Sequence, residues 1–414
     1  MQKKGPLLTL FVTILLDMLG LGILIPITPV LFADPTSPHY LLPIGTTVST
    51  GYILLGILIA LFALGQFIAS PIIGQFSDKW GRKRLLVISV FGTAVGHFLF
   101  ALAILFHNLP LLFFSRLFAG IMGGNIVVAQ AAIADITTPE NRAKNFGLIG
   151  AAFGLGFVIG PFIGGKLADP TLVSWFSATT PFFFAAILST LNGIQVMYRM
   201  IETNQHIATD RKIDWSKSLK NISKAFTLSN VRPIFITNFL YQAGFAFYTT
   251  FAAVYLLSHF HFTEGSIGNY FAFVGVWIVI TQGFVTRKIA KYYPESKVVQ
   301  NSLIATGLCI TAIVLAPTSL VLYLLVPVFA MAVGLSQANI TALISRSAGP
   351  AIQGEVLGLN GSVMALAQTL PPLVSGIIAA HFQPHAPLLI ASLLTIAAGL
   401  YFNNHLRTLR LAHS

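Results

Sequence analysis

The sequence predicts an all-α membrane protein with twelve transmembrane helices in two pseudo-symmetric six-helix bundles. Its 414 residues are 55% hydrophobic and only 9% charged, whereas soluble domains carry about 25% charged residues. Twelve apolar runs reach the roughly 20 residues that a helix needs to cross a bilayer. A pattern in the first six runs returns in the last six. Alternating stretches typical of barrel strands are absent, so we expect helices.

The twelve runs are separated by short polar loops. They cover residues 6–33, 49–75, 84–106, 109–135, 142–168, 180–198, 229–258, 265–291, 298–316, 318–347, 353–381 and 386–406. The first run follows Lys3 and Lys4, as the core of a signal peptide does. It is too long for such a core and lacks a small-residue cleavage site. We therefore expect it to be retained as a span.

The positive charge indicates orientation rather than a nucleic-acid partner. The net charge is +12, but the cations lie in short loops between apolar runs. With the N-terminus in the cytoplasm, all of the 24 Lys and Arg residues are cytoplasmic except Arg116 and Lys166. This distribution obeys the positive-inside rule. It predicts a multi-pass protein of the plasma membrane (the inner membrane of a bacterium) with both termini in the cytoplasm.

The longest polar stretch divides the spans into six and six. We expect an N-terminal bundle over residues 1–198, a cytoplasmic linker over 199–228 and a C-terminal bundle over 229–414. The basic residues of the linker are Arg199, Arg211, Lys212, Lys217, Lys220 and Lys224. Around Trp215 two interpretations remain open, an amphipathic helix on anionic lipid and a flexible linker.

The two halves share sequence patterns. Residues 11–20, FVTILLDMLG, resemble residues 235–244, FITNFLYQAG, at an offset of 224. A second set matches at an offset of 211: Gly147, Pro161 and Gly165 with Gly358, Pro372 and Gly376. Parallel repeats of this kind are typical of secondary transporters.

The loop after the second span carries the most specific motif. Residues 74–84, GQFSDKWGRKR, follow the form G-x-x-x-D-x-x-G-R-[KR]-[KR] and resemble the signature loop of the major facilitator superfamily. The resemblance implies a twelve-helix transporter with a substrate site between its two halves. It also implies a cytoplasmic gate formed by Gly74, Asp78, Gly81, Arg82, Lys83, Arg84 and Asp135.

In that gate, Asp78 would cap the start of the eleventh span and Arg82 would reach Asp135 at the end of the fourth. The alternative is that the basic residues only satisfy the positive-inside rule. That alternative leaves Asp78 and Gly81 unexplained.

One acid and one arginine lie deep within spans, and we interpret them as proton-coupling residues. Asp17 is about 17 Å along the first span, where an ionised carboxylate costs about 2.5–3.5 kcal/mol. A carboxylate that gains and loses a proton as its surroundings change is a simple coupling device. Arg116 opens the sequence RLFAG, which resembles the R-x-x-x-G motif of proton-driven antiporters. The alternatives are a structural, hydrogen-bonded Asp17 and an Arg116 that snorkels outward.

The fifth span is rich in glycine. Residues 160–165, GPFIGG, resemble the G-P-x-x-G-G motif of exporters that exchange substrate for protons. Small residues at a spacing of four let helix backbones touch, and a proline bends the helix. The motif residues are Gly156, Gly160, Pro161, Gly164 and Gly165. Ordinary glycine-mediated packing is the alternative.

The first half is most similar to the tetracycline-exporter branch of the drug–proton antiporters, through residues 16–22 and 134–137. That branch carries further acids in the third span, where Gly96 stands here, and in the ninth, where this chain has none. The missing acids favour a neutral or anionic substrate over a dication.

The second half lacks both charged residues, because Tyr241 and Pro327 stand at the matching positions. We expect that half to serve mainly in substrate recognition. The candidate cavity residues are Tyr241, Gln242 and Tyr248, with His97 from the first half. Packing is the alternative for each.

These patterns predict a proton-coupled secondary transporter that exports a small organic compound by alternating access, as in multidrug efflux and antibiotic resistance. The alternative is proton-linked uptake or export of one specific metabolite, such as a siderophore or an amino acid. The expected partners are the substrate, protons and the lipid bilayer. We expect a monomer with no cofactor, metal or nucleic acid, and no enzymatic activity, since neither a nucleotide-binding loop nor a catalytic cluster is evident.

Overall fold

The computed structural model describes residues 4–43, 45–138, 142–204, 213–227, 231–347 and 353–412. Over these residues the chain forms sixteen α-helices joined by turns and short loops. They are α1 Lys4–Ile23, α2 Thr28–Phe32, α3 Val48–Trp80, α4 Arg82–Leu105, α5 Leu109–Met122, α6 Asn125–Asp135, α7 Arg142–Leu167, α8 Thr180–Arg199, α9 Lys217–Thr227, α10 Arg232–Phe260, α11 Glu264–Ile280, α12 Thr286–Ile289, α13 Glu295–Val314, α14 Ser319–Ser347, α15 Gln353–Phe382 and α16 Ala386–Ala412.

Twelve helical stretches of the described chain are long and apolar enough to cross a membrane. The predicted all-α fold with twelve spans is therefore confirmed. Three spans are interrupted. A turn at Gly123 and Gly124 separates α5 from α6 in the fourth span, and a π-helix, Thr281–Val285, joins α11 to α12 in the eighth.

The third interruption corrects the continuous first span that we predicted over residues 6–33. In the structure α1 ends at Ile23, and α2 begins at Thr28 after a turn. Pro29 lies in the first turn of α2. A proline is tolerated there because the missing N–H has no intrahelical partner to lose.

The chain forms two compact units. The first unit comprises Met1–Gly51, Leu61–Lys217 and Thr263–Ala272, and the second comprises Tyr52–Ala60, Ser218–Phe262 and Phe273–Ser414. The domain boundaries at residues 198 and 229 stay a prediction.

Part of the expected linker is helical. Helix α9 occupies its second half, and Trp215 stands just before the helix with 68% of its surface exposed. Residues 205–212, with Arg211 and Lys212, and residue 228 lie outside the described residues.

Each unit has its own apolar core. In the first unit, side chains of α1, α4, α6 and α8 meet, including Leu10, Ile14, Leu86, Val128, Ala132 and Val196. In the second unit, side chains of α10, α13, α14 and α15 meet, including Phe235, Tyr241, Leu303, Ile340 and Val363. Burial of this apolar surface fixes the polar residues described next relative to their neighbours.

Candidate functional site

Asp17 lines a small, partly open cavity of the first unit. The cavity has a volume of about 10 Å³, which is room for about one water molecule. Its lining residues are Asp17, Met18, Leu21, Phe62, Gln66, Thr93, His97, Gly123 and Ile126. One Asp17 carboxyl oxygen, Oδ2, is inaccessible and has no hydrogen-bond partner among the described residues. The predicted mid-span acid is therefore partly buried, with one carboxyl oxygen shielded from water.

Asn125 begins α6, and its neighbours Gly123 and Ile126 both line the cavity of Asp17. Both amide atoms of Asn125 are inaccessible and lack a hydrogen-bond partner within the described chain. Asn125 is also fully buried, with 0% exposure. The fourth span therefore buries an unsatisfied amide directly after its break.

His97 lies in the same cavity. It is 6% exposed, and its ring packs on the backbone of Gly20, where an added Cβ would stand 2.6 Å from Nε2. Glycine at position 20 therefore lets the imidazole approach α1, one turn from Asp17. The sequence predicted His97 as a cavity residue. Its contact with substrate remains a prediction.

Arg116 is buried within the first unit. It is 4% exposed, so its side chain does not reach outward. The guanidinium carbon lies 4.5 Å from the centre of the Phe62 ring and 5.9 Å from that of Phe100. Such cation–π contacts favour a desolvated cation. No ion pair joins Arg116 to Asp17 among the described residues, and the predicted partnership stays a prediction.

The glycine-rich α7 packs directly on α1, close to Asp17. A Cβ added at Gly156 would press on Met18, and one at Gly160 would stand 2.7 Å from the Leu19 carbonyl oxygen. Gly164 meets Ile23 in the same way. These contacts explain the four-residue spacing of the motif, because only glycine lets the two backbones come this close.

The motif also includes residues that face other neighbours. Pro161 contacts Gly22 on α1, and a Cβ at Gly165 would stand 2.5 Å from the Glu264 carbonyl oxygen. Glycines of α7 therefore make close contacts on two sides of the helix, with α1 and with the start of α11. Its role in export remains a prediction.

Arg82 is the centre of the signature loop. Its Nη1 lies 2.6 Å from Asp78 Oδ1, and its Nε donates to Asp135 Oδ2 at 3.2 Å. Asp135 also accepts a hydrogen bond from the Thr203 hydroxyl at 3.2 Å. The contact that the sequence predicted between Arg82 and Asp135 is thus present. The predicted cap from Asp78 to the eleventh span involves residues 348–352, which lie outside the described residues.

Two glycines of the loop differ in what they do. Gly81 has a φ of +92°, a conformation that favours glycine, and it forms the turn between α3 and α4. Gly74 is only loosely packed, since a Cβ there would meet Val127 at an ordinary 3.4 Å. Gly74 therefore does not mark a tight approach between helices.

The remaining loop cations face outward. The guanidinium of exposed Arg84 lies 5.9 Å from the Trp80 ring centre. Lys83 is half-buried, and its backbone N–H donates to Glu202 Oε2 at 3.2 Å.

The second unit shows a different environment at the candidate recognition residues. Tyr241 is 1% exposed and donates to the Val333 carbonyl oxygen at 3.5 Å. Tyr248 is 2% exposed and packs on Phe329 at 4.9 Å between ring centres. Gln242 is also buried. Their contact with a substrate stays a prediction.

Two site residues were missed by sequence reasoning. Glu202 accepts from the backbone N–H of Arg82 at 2.8 Å and from that of Lys83, and so caps α4. Asn125 of the fourth span was not among the predicted site residues. Their signals were present: an acid within a basic segment, and an amide directly after a Gly-Gly pair.

Comparison with known proteins assigns this architecture. The family profile of the Major Facilitator Superfamily matches residues 10–372. The chain is 28% identical over 376 residues to the tetracycline resistance protein, class H, of Pasteurella multocida, covering 90% of this chain and 88% of that one. It is 29% identical over 386 residues to the quinolone resistance protein NorA of Staphylococcus aureus, covering 92% of each.

The fold has solved counterparts as well. The crystal structure of the human organic anion transporter MFSD10 matches with a TM-score of 0.73 at 22% identity, covering 96% of this chain and 99% of that one. The resemblance drawn from the loop and helix motifs is confirmed. This chain belongs to the Major Facilitator Superfamily and is a membrane transporter rather than an enzyme.

Proposed function

We propose that this protein is a proton-coupled transporter of the bacterial inner membrane that exports a small, drug-like, neutral or anionic compound by alternating access. The observation that carries the proposal is the Asp17 site. A carboxyl group lies in a cavity the size of one water, with a buried oxygen that lacks a partner in the described chain.

The chemistry of that site suits a proton carrier. An ionised carboxylate without a partner is expensive to bury, so the neutral acid is the cheaper form in this geometry. When the cavity opens to water, hydration stabilises the charged form and the proton can leave. A group whose protonation follows the opening of its cavity couples proton movement to conformational change.

Export is favoured by two features that do not involve Asp17. The glycine contacts between α7 and α1 fit the motif typical of exporters that exchange substrate for protons. The curated relatives at 28% and 29% identity are named for resistance to tetracycline and to quinolones. Both support outward movement of a drug-like compound.

The charge and packing of the first unit support the substrate class. Arg116 is a buried cation held by aromatic faces, and it favours neutral or anionic compounds over cations. Gly96, where the tetracycline exporters carry an acid, is packed so closely that a Cβ would stand 2.8 Å from Ala119 Cβ. A carboxylate therefore does not fit at that position, which argues against a metal–drug chelate as substrate.

The direction of exchange tests the proposal. Purified protein in proteoliposomes is given an acidic lumen, and accumulation of three probes is followed: an uncharged drug, a quinolone, and a tetracycline with Mg²⁺. We expect the uncharged drug or the quinolone to accumulate in the acidic lumen as protons leave. Accumulation that instead requires an acidic exterior would indicate symport and overturn export in favour of the metabolite alternative.

A further inference from the structure

The chain that follows α8 returns to the signature loop. The Glu202 carboxylate accepts from the backbone N–H of Arg82 at 2.8 Å and from that of Lys83 at 3.2 Å. These residues begin α4, and N–H groups at the start of a helix have no partner within it. Gly81, at the N-cap of α4, has no side chain that could bind them. A Cβ at Gly81 would collide with the carboxylate, so glycine at this position makes room for Glu202.

The next two residues of the chain bind other parts of the same region. Thr203 is buried, and its hydroxyl donates to Asp135 Oδ2 at 3.2 Å. The Arg82 Nε donates to the same oxygen at 3.2 Å. The Asn204 amide donates to the Asp78 carbonyl oxygen at 3.2 Å. Three successive residues therefore contact the ends of α3, α4 and α6 at which the predicted gate lies.

The carboxylate is also held by its own turn. Glu202 Oε1 accepts from the backbone N–H groups of Thr203 and Asn204, each at 3.0 Å. Glu202 is exposed, yet four backbone donors fix its side chain. The helix dipole favours an anion at the start of α4 as well. The first turn of α4 is thus tied to the segment that follows α8.

This anchoring reaches the predicted gate through Arg82. The backbone N–H of Arg82 donates to Glu202. Its Nη1 lies 2.6 Å from Asp78 Oδ1, and its Nε lies 3.2 Å from Asp135 Oδ2. A distance of 3.2 Å is at the long end of the range for a hydrogen bond. A small shift of the first turn of α4 would therefore weaken the contact to Asp135.

We propose that Glu202 is a positioning residue for the predicted cytoplasmic gate. Its carboxylate holds the backbone of Arg82 so that the guanidinium stays between Asp78 and Asp135. The inference rests on the proposed function, in which this gate serves transport. Glu202 acts through Arg82 and not on the substrate.

The simpler alternative is that Glu202 only caps a helix. A cap stabilises α4 through its own hydrogen bonds, and that contribution does not depend on Asp135. A positioning residue acts through Arg82, so part of its contribution is lost once the ionic contact to Asp135 is gone. The two roles therefore differ in whether substitutions of Glu202 and Asp135 are additive.

A thermal-unfolding cycle of the purified transporter in detergent tests the inference without a substrate. The variants are Glu202→Gln, Asp135→Asn and their combination. Glutamine keeps the length of the side chain and one acceptor oxygen, and it replaces the second acceptor by a donor. The matched control is Asn108→Ala, alone and with Asp135→Asn, because the Asn108 side chain caps α5 by accepting from the Leu111 N–H at 3.0 Å.

We expect Glu202→Gln and Asn108→Ala each to lower the melting temperature by about 2 °C, the scale of one helix cap. In the Asp135→Asn background the shift caused by Glu202→Gln should fall by about half, whereas that caused by Asn108→Ala should stay the same. Should Glu202→Gln fail to fold, Glu202→Asp, which keeps the charge and shortens the reach, takes its place. Arg82→Gln can replace Asp135→Asn in the same way.

Proteoliposome transport gives a second readout, with whichever of the uncharged drug, the quinolone and the tetracycline accumulates. Glu202→Gln should lower turnover by about threefold with an unchanged KM, and it should lower turnover no further when Asp135→Asn is present. Asn108→Ala should leave turnover unchanged.

Equal melting shifts for Glu202→Gln in the two backgrounds, or no shift in either, would overturn the inference. So would turnover losses of Glu202→Gln and Asp135→Asn that multiply independently. Each of these results leaves the proposed function standing. If the proton gradient drives none of the three probes, the proposed function fails, and the melting cycle still decides whether Glu202 positions Arg82.

Discussion

Positions 17 and 241 match in the two halves of the chain, yet their surroundings differ. At position 17 a carboxyl oxygen is buried without a partner, and at position 241 a tyrosine hydroxyl donates to the Val333 carbonyl oxygen. The contrast extends to whole units. Among the described residues, buried side-chain atoms without a partner occur only in the first unit, in Asp17, Tyr40, Arg116, Asn125 and Asn192.

The second unit pairs its buried polar groups instead. Asn238 donates to Asn360 at 2.7 Å, Ser336 donates to Ser302 at 2.9 Å, and the hydroxyls of Thr311 and Ser392 lie 2.8 Å apart. Satisfied networks rigidify a core, whereas unsatisfied groups are costly and persist where another state needs them. The difference teaches that the two halves of a repeated fold can treat their buried polar groups differently, leaving them unpaired in one half and pairing them in the other.

The strongest test of this contrast is to substitute Asp17 and Tyr241, the two matching positions, in parallel. We expect Asp17→Asn to lower gradient-driven transport by roughly 100-fold or more, as loss of a proton-transfer group does, with substrate affinity little changed. Tyr241→Phe removes one long hydrogen bond and should lower transport by about twofold. Proteoliposome uptake and equilibrium binding measure the two effects. Equal losses in the two variants would contradict the asymmetry.

We expect the close glycine contacts, unlike the buried polar groups, to be equivalent in the two halves. A Cβ at Gly165 would stand 2.5 Å from the Glu264 carbonyl oxygen, and one at Gly376, the matching residue, 2.6 Å from that of Tyr52. We expect Gly165→Ala and Gly376→Ala to destabilise the protein by a similar amount, about 1–3 kcal/mol, because each overpacks a backbone crossing. Thermal unfolding in detergent measures this.

Matched controls exist for both alanine variants. Gly150 on α7 and Gly361 on α15 have no atom within 4 Å of an added Cβ. Alanine at these positions should leave the melting temperature unchanged or raise it slightly. A large loss at Gly165 with none at Gly376 would show that the packing, too, is one-sided.

A third comparison concerns the cytoplasmic loops of the two halves. Asp78→Asn weakens the contact to Arg82, which is 2.6 Å long and only partly exposed. We expect turnover to slow by about fivefold, equivalent to about 1 kcal/mol for an ion pair of this kind, with less change in KM. The matching loop of the second half, residues 283–291, contains no acid, so Arg287→Gln should alter turnover little. Initial rates over a range of substrate concentrations separate the two parameters, and an unchanged turnover number for Asp78→Asn would contradict the gate.

Features encoded locally could be predicted from the sequence. The twelve spans follow from the length and polarity of each run. The contact between Arg82 and Asp135 and the close packing at Gly160 followed from motifs with a known arrangement, and the structure contains both. Gly74 shows the limit of that approach, since a glycine in a motif need not be at a close contact.

Features that depend on distant neighbours could not be predicted. Asn125 is an ordinary amide until the fold brings its neighbours Gly123 and Ile126 to the cavity that Asp17 lines. Glu202 likewise becomes a cap only because the end of the first half returns to the start of α4. Neither position is marked by a periodic pattern in the sequence, because each arrangement depends on which helices pack together.

The π-helix of the eighth span has a consequence for the direction of the charges that follow it. Such a turn accommodates one residue more than an α-helical turn does, and here the Thr286 hydroxyl donates to the Thr281 carbonyl oxygen at 3.0 Å. Deleting one residue from 281–285 would restore regular geometry and rotate Arg287 and Lys288 by about 100° around the helix axis. The direction in which Arg287 and Lys288 point away from the helix axis is thus set by a single inserted residue.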